Sequence, residues 1–566
     1  MMSIRNHLIS LQKRTFLSLK QEILDLQRFE PRDLKQYRQI YLSEVKSYES
    51  LSSKKDLFDS ISQASIVFCG DFHTLSRSQY TAIKLLEFLI QKGKSIQLAL
   101  EMIPRAVESI ANDYVAGLID EETFLKLIHY EHIWGFPWLN YKPFFDLAKH
   151  HRMSILGINT QYDGYNPLAI RDEHAAKAIA YAHLRAPESI VFCLYGDLHV
   201  AQAHIPKACA ALFQQAKTKP PTMVTVYQNS DDIYWKLVEK ELIYDVDVVK
   251  VQTNQFCILN TAPWIKWQSY QTWSEDHIAL LEPSSEESWE IHHAPDYFHK
   301  VLMYVEKIKN FLRIDVPDLG KLCVYTSDDM DVHEIVGKSI LDTQNKLPKA
   351  LKPLLDTEMI ENRSLFLPQV PLIFLQDVSI NRMSQKASQW VAYQLTSGFR
   401  IYSPNFSDTE HFLRLVLIEC LGYFGSKIIN PKQKTSHIKD FERFLARIEG
   451  ESLSDNERIQ KQTSHTVISI FDKIQQSISH RRDTLDWAIP DIMDPQNFFL
   501  SARAVGKVLG DQLYRLVLLE DIKLEGIVPM YQSFASEKSV TLMVSKLVRL
   551  CYAKGLLFHE SKDDFF

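Results

Sequence analysis

The chain of 566 residues carries only 17 glycines, about 3% against the roughly 7% of average usage, which argues against a β-sandwich, a propeller or a fold built on several glycine-rich phosphate loops. A formal net charge of −6, from 64 basic and 70 acidic residues, argues against a general nucleic-acid binder. Hydrophobic content of 46% and charged content of 24% are those of a globular protein, and the length predicts two to four domains.

The stretch from Met1 to Asp33 has no unbroken apolar run, no small-residue cleavage site and no cysteine, so no secretory or lipoprotein signal is expected. No segment approaches 18 apolar residues, and no transmembrane span is expected. Seven cysteines without a C-x-x-C pair read as buried thiols in a reducing compartment, with neither a disulfide framework nor a cysteine zinc site. A cytoplasmic location is the expectation.

In chain order, Ile4, Leu8, Leu11, Phe16, Leu19, Ile23 and Leu26 recur at helical spacing and predict a helix over 4–29, ended by Pro31. A second helix follows to about Tyr48. Both read as packing helices with solvated charges, a helical segment over 1–60. From Ser65 short β-branched runs alternate with helical ones, as in strands joined by crossover helices. Strands are expected at 65–69, 95–100, 153–159, 189–195 and 222–227. Each is almost continuously apolar, as in strands covered on both faces. Helices are expected at 76–92, 105–117, 121–131, 141–151, 168–185 and 201–215. The fold class is therefore α/β: an open, mostly parallel sheet with helices on both faces. A strand pair over 244–260, joined near Thr253-Asn254, and an aromatic segment complete a domain over 61–280.

The segment 282–290 is polar enough to mark a boundary, and 290–566 reads as a mainly α-helical domain. Its helices are expected at 297–313, 331–343, 379–396, 409–425, 433–448, 456–479, 497–519 and 539–555, with strand-like pieces at 321–326 and 370–376. The basic stretches 430–443 and 480–482 read as solvated faces. This half carries no chemical motif, and its expected use is packing on the α/β domain or recruiting a protein partner.

One internal echo stands out. Ser65 to Cys69 runs into Gly70-Asp71-Phe72-His73, and Ser189 to Cys193 runs through Leu194-Tyr195 into Gly196-Asp197-Leu198-His199. The two extra residues preserve side-chain parity, so equivalent geometry is expected at both strand tips. Ligands of open parallel sheets bind beyond the carboxyl ends of the strands, where glycine permits close approach. A third strand ends in Glu101. His73, His199 and Glu101 converging there would hold a divalent metal with positions left open for water. Asp71 and Asp197 serve as further ligands or as acceptors for imidazole N–H groups. The competing reading is turn and capping chemistry. Arg171 is placed either to meet a ligand carboxylate or to form a structural ion pair, and Asp172 sits in a first helical turn. His204 is expected on the surface of the following helix.

The ordered set G-D-F-H (70–73), A-L-E-M (99–102), W-G-F-P-W with Y-K-P-F-F-D-L-A (134–148), G-I-N-T (157–160), R-D-E-H-A (171–175) and G-D-L-H-V (196–200) resembles the ChaN-like haem-binding domain over about 61–230. That domain belongs to a superfamily with the Tiki and TraB/PrgY proteins and erythromycin esterase. The resemblance implies haem or iron binding, with a tyrosine on the haem iron; Tyr141, Tyr162 and Tyr165 are the candidates near the edge, with Gly70, Gly196 and Arg171 around the ligand. The aromatic run Trp134, Phe136 and Trp138 either packs a porphyrin face or closes the core. The Tiki side of the superfamily implies a metal-dependent hydrolase in which His73 and His199 are ligands and Glu101 is ligand or base. A third reading is a non-catalytic scaffold. Asp71 departs from the glutamate common at its position, and the missing lipoprotein signal departs from an envelope role.

Overall fold

The structure, a computed structural model, describes residues 3–26, 32–160, 168–281, 297–316, 322–326, 336–345, 352–367, 372–376, 378–396, 398–401, 403 and 405–557. The chain divides into two compact units, Phe16–Ser285 and Met1–Thr15 with Glu286–Asp564.

The first is the α/β unit. Helix α1 (Ile4–Leu26), which belongs to this unit only from Phe16 on, and α2 (Arg32–Glu44) precede a short strand, β1 (Ser50–Ser52), and α3 (Lys54–Ser62). Neither β1 nor α3 is apparent in the sequence pattern, although Ser53 and Asp56 form a capping box at the start of α3. Then follow β2 (Ile66–Asp71), α4 (Ser76–Gln91), β3 (Ile96–Pro104), α5 (Glu108–Val115), α6 (Glu121–Leu127), α7 (Tyr130–Ile133), α8 (Trp138–His151), β4 (Ser154–Asn159), α9 (Leu168–Arg185), β5 (Ile190–Gly196), α10 (Ile205–Gln215) and β6 (Met223–Gln228). The expected helix over 121–131 is two helices, because His129 takes φ 51°, left-handed backbone that a helix cannot continue through. Helix α10 starts four residues later than expected; residues 197–204 form a turn-rich loop. The unit closes with α11 (Asp231–Glu239), the hairpin β7 (Val248–Gln252) and β8 (Gln255–Ile258), and α12 (Pro263–Leu281).

The sheet runs β1-β7-β8-β6-β2-β5-β3-β4. Pairing is parallel from β8 through β4, and β7 is antiparallel to both of its neighbours. The two strands that carry the sequence echo are thus adjacent. Their register pairs Gly70 with Tyr195 and Asp71 with Gly196, one residue out of step with the echo. Paired residues of parallel strands share a face, so Val67, Cys69 and Asp71 side with Phe192, Leu194 and Gly196; Val67, Cys69, Phe192 and Leu194 all belong to one core cluster. The expected equivalence of the two tips is therefore corrected: Asp71 and Asp197 turn to opposite faces.

The register also explains the two glycines. A Cβ on Gly70 would overlap Asp197 Oδ1, and a Cβ on Gly196 would lie 3.2 Å from His73 Nε2 and 3.4 Å from Glu101 Oε2. Each motif's glycine makes room for side chains of the other strand tips.

The helical unit comprises α13 (Tyr297–Leu312), β9 (Cys323–Thr326), α14 (Gly337–Asn345), α15 (Lys352–Asn362), β10 (Ser364–Leu367), β11 (Leu372–Leu375), α16 (Ile380–Leu395), α17 (Asp408–Ile429), α18 (Ile438–Arg447), α19 (Asp455–Ser479), α20 (Pro495–Leu518), α21 (Leu524–Tyr531) and α22 (Glu537–Ala553). Helix α17 is buried almost throughout, and β10-β11-β9 form a small sheet. The stretch 430–443 is not wholly solvated: Lys432 and His437 are buried, and His437 Nε2 lies 3.4 Å from Asp511 Oδ2. Of the cysteines, Cys323 is exposed and the other six are buried.

Replacing Gly70 by alanine is expected to cost about 1–3 kcal/mol through overpacking, seen as a lowered thermal midpoint of the α/β unit. Gly196→Ala, whose new methyl would stand no nearer than 3.2 Å to its neighbours, is expected to lower it less.

Candidate functional site

At the tip of β2, Asp71 is 3% exposed and its carboxylate is fully engaged. Oδ2 accepts from Tyr141 Oη at 2.8 Å and lies 2.9 Å from His73 Nδ1, while Gln79 Nε2 of α4 donates to Oδ1. This fixes the His73 imidazole with Nδ1–H toward the carboxylate and leaves Nε2 as the free nitrogen. Aromatic rings wall the imidazole: Trp134 at 4.7 Å and Phe136 at 4.8 Å between centroids, with Trp273 of α12 stacked on Phe136 at 4.9 Å. The His73 side chain is still 22% exposed, and its Nε2 stands 3.6 Å from Glu101 Oε2. Burial lowers the His73 pKa, but the hydrogen bond and charge of Asp71, with Glu101 beyond, outweigh it and raise the pKa above its ordinary value.

Glu101, 4% exposed, joins the two strand tips. Its Oε2 accepts from Gly196 N at 2.7 Å and its Oε1 from Arg171 Nη2 at 2.5 Å. Of the two readings of Arg171, the ion pair is the one formed. Beyond Leu100 the β3–β4 register shifts.

On the other face His199 pairs with Asp172, not with Asp197; Nδ1 lies 2.5 Å from Asp172 Oδ1. Tyr37 of α2 donates to Asp172 Oδ2 at 3.1 Å, and its ring lies against His204 with centroids 3.9 Å apart and the planes tilted by 32°. His204 is buried, contrary to its expected place on the surface. Its Nδ1 donates to Leu198 O at 2.7 Å, and burial lowers its pKa. Glu44 of α2 secures the same loop by accepting from Gln202 N at 2.7 Å, Ala203 N at 3.2 Å and Tyr227 Oη at 2.9 Å.

Asp197 is buried against Gly70, and its Oδ1 has no hydrogen-bond partner among the described residues. Burial first, and Asp71 next, push its pKa up to about 7 against the pull of Lys266 and His73.

The structure therefore brings Asp71, His73 and Glu101 together, adds Arg171, Tyr141 and Gln79, and places His199 in a separate carboxylate–histidine pair. Among the described residues, no group of three or more His, Cys, Asp or Glu side chains is arranged to hold a metal ion. Tyr141 is 1% exposed and donates its hydroxyl to Asp71. Burial and that neighbouring charge hold its phenol well above the ordinary value, which opposes a tyrosinate. Tyr162 and Tyr165 lie outside the described residues. Sequence reasoning missed Tyr37, Glu44, Gln79 and Trp273. Asp172, noted only for its place on a helix dipole, sat beside Arg171 at the same edge, and that adjacency was the available signal.

Residues 57–167 match the family model described as haem-binding uptake, Tiki superfamily, ChaN. Among solved structures, the chain is similar to one described as cofacial haem binding to ChaN of Campylobacter jejuni, with 15% identity, covering 31% of this chain and 86% of that one at a TM-score of 0.23. No curated protein matches. The matched segment holds Asp71, His73, Glu101 and Tyr141, whereas Arg171, Asp172, Gly196 and His199 follow it.

A carboxyl with a raised folded-state pKa binds its proton more tightly folded than unfolded. Its contribution is complete below its ordinary pKa near 3.8 and is lost as pH rises through about 7. Asp197→Asn is therefore expected to gain thermal midpoint relative to the parent chain as pH is raised from 4 to 8. A pH-independent difference between the two melting curves would contradict this.

Proposed function

We propose that the ChaN-like α/β unit binds haem or a closely related tetrapyrrole at the carboxyl edge of its sheet, with His73 as the residue facing the iron. The observation that carries this reading is the state of that imidazole: part-exposed, held through Nδ1 by Asp71, and walled by Trp134 and Phe136. A carboxylate on Nδ1 fixes the tautomer and raises the basicity of the opposite nitrogen, the usual preparation of a histidine ligand. Flat aromatic faces suit a porphyrin. Arg171, 25% exposed on its side chain, supplies a cation near the edge that suits an acidic substituent of the ligand.

Haem held there would bring an iron centre whose properties follow from its axial ligand and the hydrogen bonds behind it. The chain's own contribution is positional. Asp71 is itself braced by Tyr141 and Gln79, so the imidazole is oriented before a ligand arrives, and the aromatic wall limits water around it. Buried Tyr141 serves this brace. Tyr162 and Tyr165, which the family resemblance points to, are the competing iron ligands. A metal-dependent hydrolase ranks behind haem binding, because the described residues present His73 with Glu101 but hold His199 apart with Asp172.

Titration of the full chain with haemin is expected to give a saturable Soret shift. His73→Ala is expected to weaken binding by at least ten-fold, or about 1.4 kcal/mol, and Tyr141→Phe by less. Loss of the shift in the double variant Tyr162→Phe/Tyr165→Phe, with His73→Ala unaffected, would move the ligand to those tyrosines. Absence of any saturable shift would reject the tetrapyrrole reading.

A further inference from the structure

Within the helical unit, four cations gather in one cluster. Helix α16 carries Arg382 and Lys386, and α20 carries Arg503 and Lys507. Both pairs have i,i+4 spacing, which sets two cations on one helix face. Helix α17 supplies Glu419 and α15 supplies Glu358 and Glu361. The charges act on one another: Lys386 experiences Glu358, Glu419, Arg382 and Arg503, and Lys507 experiences Arg503, Glu419, Arg382 and Lys386.

Close helix approach assembles this cluster. A Cβ on Gly506 of α20 would fall 2.6 Å from Val416 O and 2.7 Å from Glu419 Cβ, so no larger residue brings α20 so near α17. The carboxylate of Glu419, 1% exposed, is occupied by side-chain amides: Gln385 Nε2 donates to Oε2 at 2.8 Å and Gln389 Nε2 to Oε1 at 3.2 Å.

Three of these cations are short of acceptors among the described residues. Lys386 is 0% exposed, yet its ammonium makes no hydrogen bond to a described residue and lies 3.6 Å from Glu358 Oε1. Arg503 donates Nη1 to Glu361 O at 3.0 Å, while its buried Nε has no acceptor. Lys507 makes no hydrogen bond or ion pair among the described residues and is part-exposed, so the cluster has a side open to solvent. A purely structural network satisfies its members, because an unpaired buried charge is costly. Here two ammonium groups with three donors each lack hydrogen-bond acceptors.

We infer that the cation cluster of α16 and α20 binds a small oxyanion of the phosphate class, held by Arg382, Lys386, Arg503 and Lys507. Guanidinium forks match such oxygens two at a time and ammonium groups add point charges. The full burial of Lys386 restricts the occupant to a compact group. Among the described residues named here, four cations against three carboxylates leave a surplus of one positive charge for it to neutralise. Burial, joined by repulsion from the neighbouring cations, lowers the Lys386, Lys507 and Arg503 pKa values, and an anion among them would oppose that repulsion.

The test is calorimetric titration of the full chain with inorganic phosphate and, separately, with phenyl phosphate. Saturable binding is expected, weakened at least ten-fold by Lys507→Gln while helical circular dichroism is unchanged. Tighter binding of phenyl phosphate would assign the site to a phosphomonoester, and the reverse order to free phosphate. The part-exposed Lys507 carries the test because Lys386→Met alters a fully buried position. No saturable binding of either probe, or binding that Lys507→Gln leaves intact, overturns the inference.

Discussion

The arrangement of the sheet edge depends on a single hydrogen-bond register, Asp71 opposite Gly196. In a parallel pair every residue shares a face with its partner, so a shift of one residue would exchange the faces of all side chains on one strand. With the register as it stands, the glycine of each tip lies where a side chain from the other strands needs space. Asp71 is thereby directed to His73, while Asp197 is turned away from His199 and packs over Gly70. Asp172 of α9 then takes the place beside His199. Two similar tetrapeptides end in unlike environments because neighbouring parallel strands cannot present identical tips from staggered positions.

Much of the α/β architecture was legible in the sequence. The runs over 65–69, 95–100, 153–159, 189–195 and 222–227 lie in strands because buried parallel strands are apolar on both faces. Their adjacency was not legible. The pairing of β2 with β5 joins residues 125 positions apart, and neither strand encodes the offset alone. The polar residues of α2 were equally silent: Tyr37 and Glu44 look like members of a solvated helix face until their long-range acceptors and donors are in place. Strand β1 has only three residues, Ser50 to Ser52, too few for a period. Within the site, the G-D-x-H motifs located the right edge, but the carboxylate for the second histidine came from another element.

The ionisable groups at this edge illustrate how location divides one residue type into different chemistries. His73 and His204 are both surrounded by protein, yet a hydrogen-bonded carboxylate raises one pKa whereas burial lowers the other. Asp71 has three side-chain donors on its carboxylate, while Asp197 nearby retains an unpaired oxygen and a raised pKa. For the two histidines, hydrogen bonds to the ring and desolvation oppose each other, and the backbone decides which one prevails by deciding who meets whom.

The sheet order bears on what can be separated from what. Residues 57–167 match the family model, yet β5 lies between β2 and β3 in space and begins only at Ile190. A polypeptide cut at those limits would lose the strand that joins its two inner neighbours and would expose two facing rows of unpaired backbone amides and carbonyls. Sequence similarity and physical autonomy therefore have different borders here. The shortest piece able to close this sheet must run from β1, whose partner is β7, through β8.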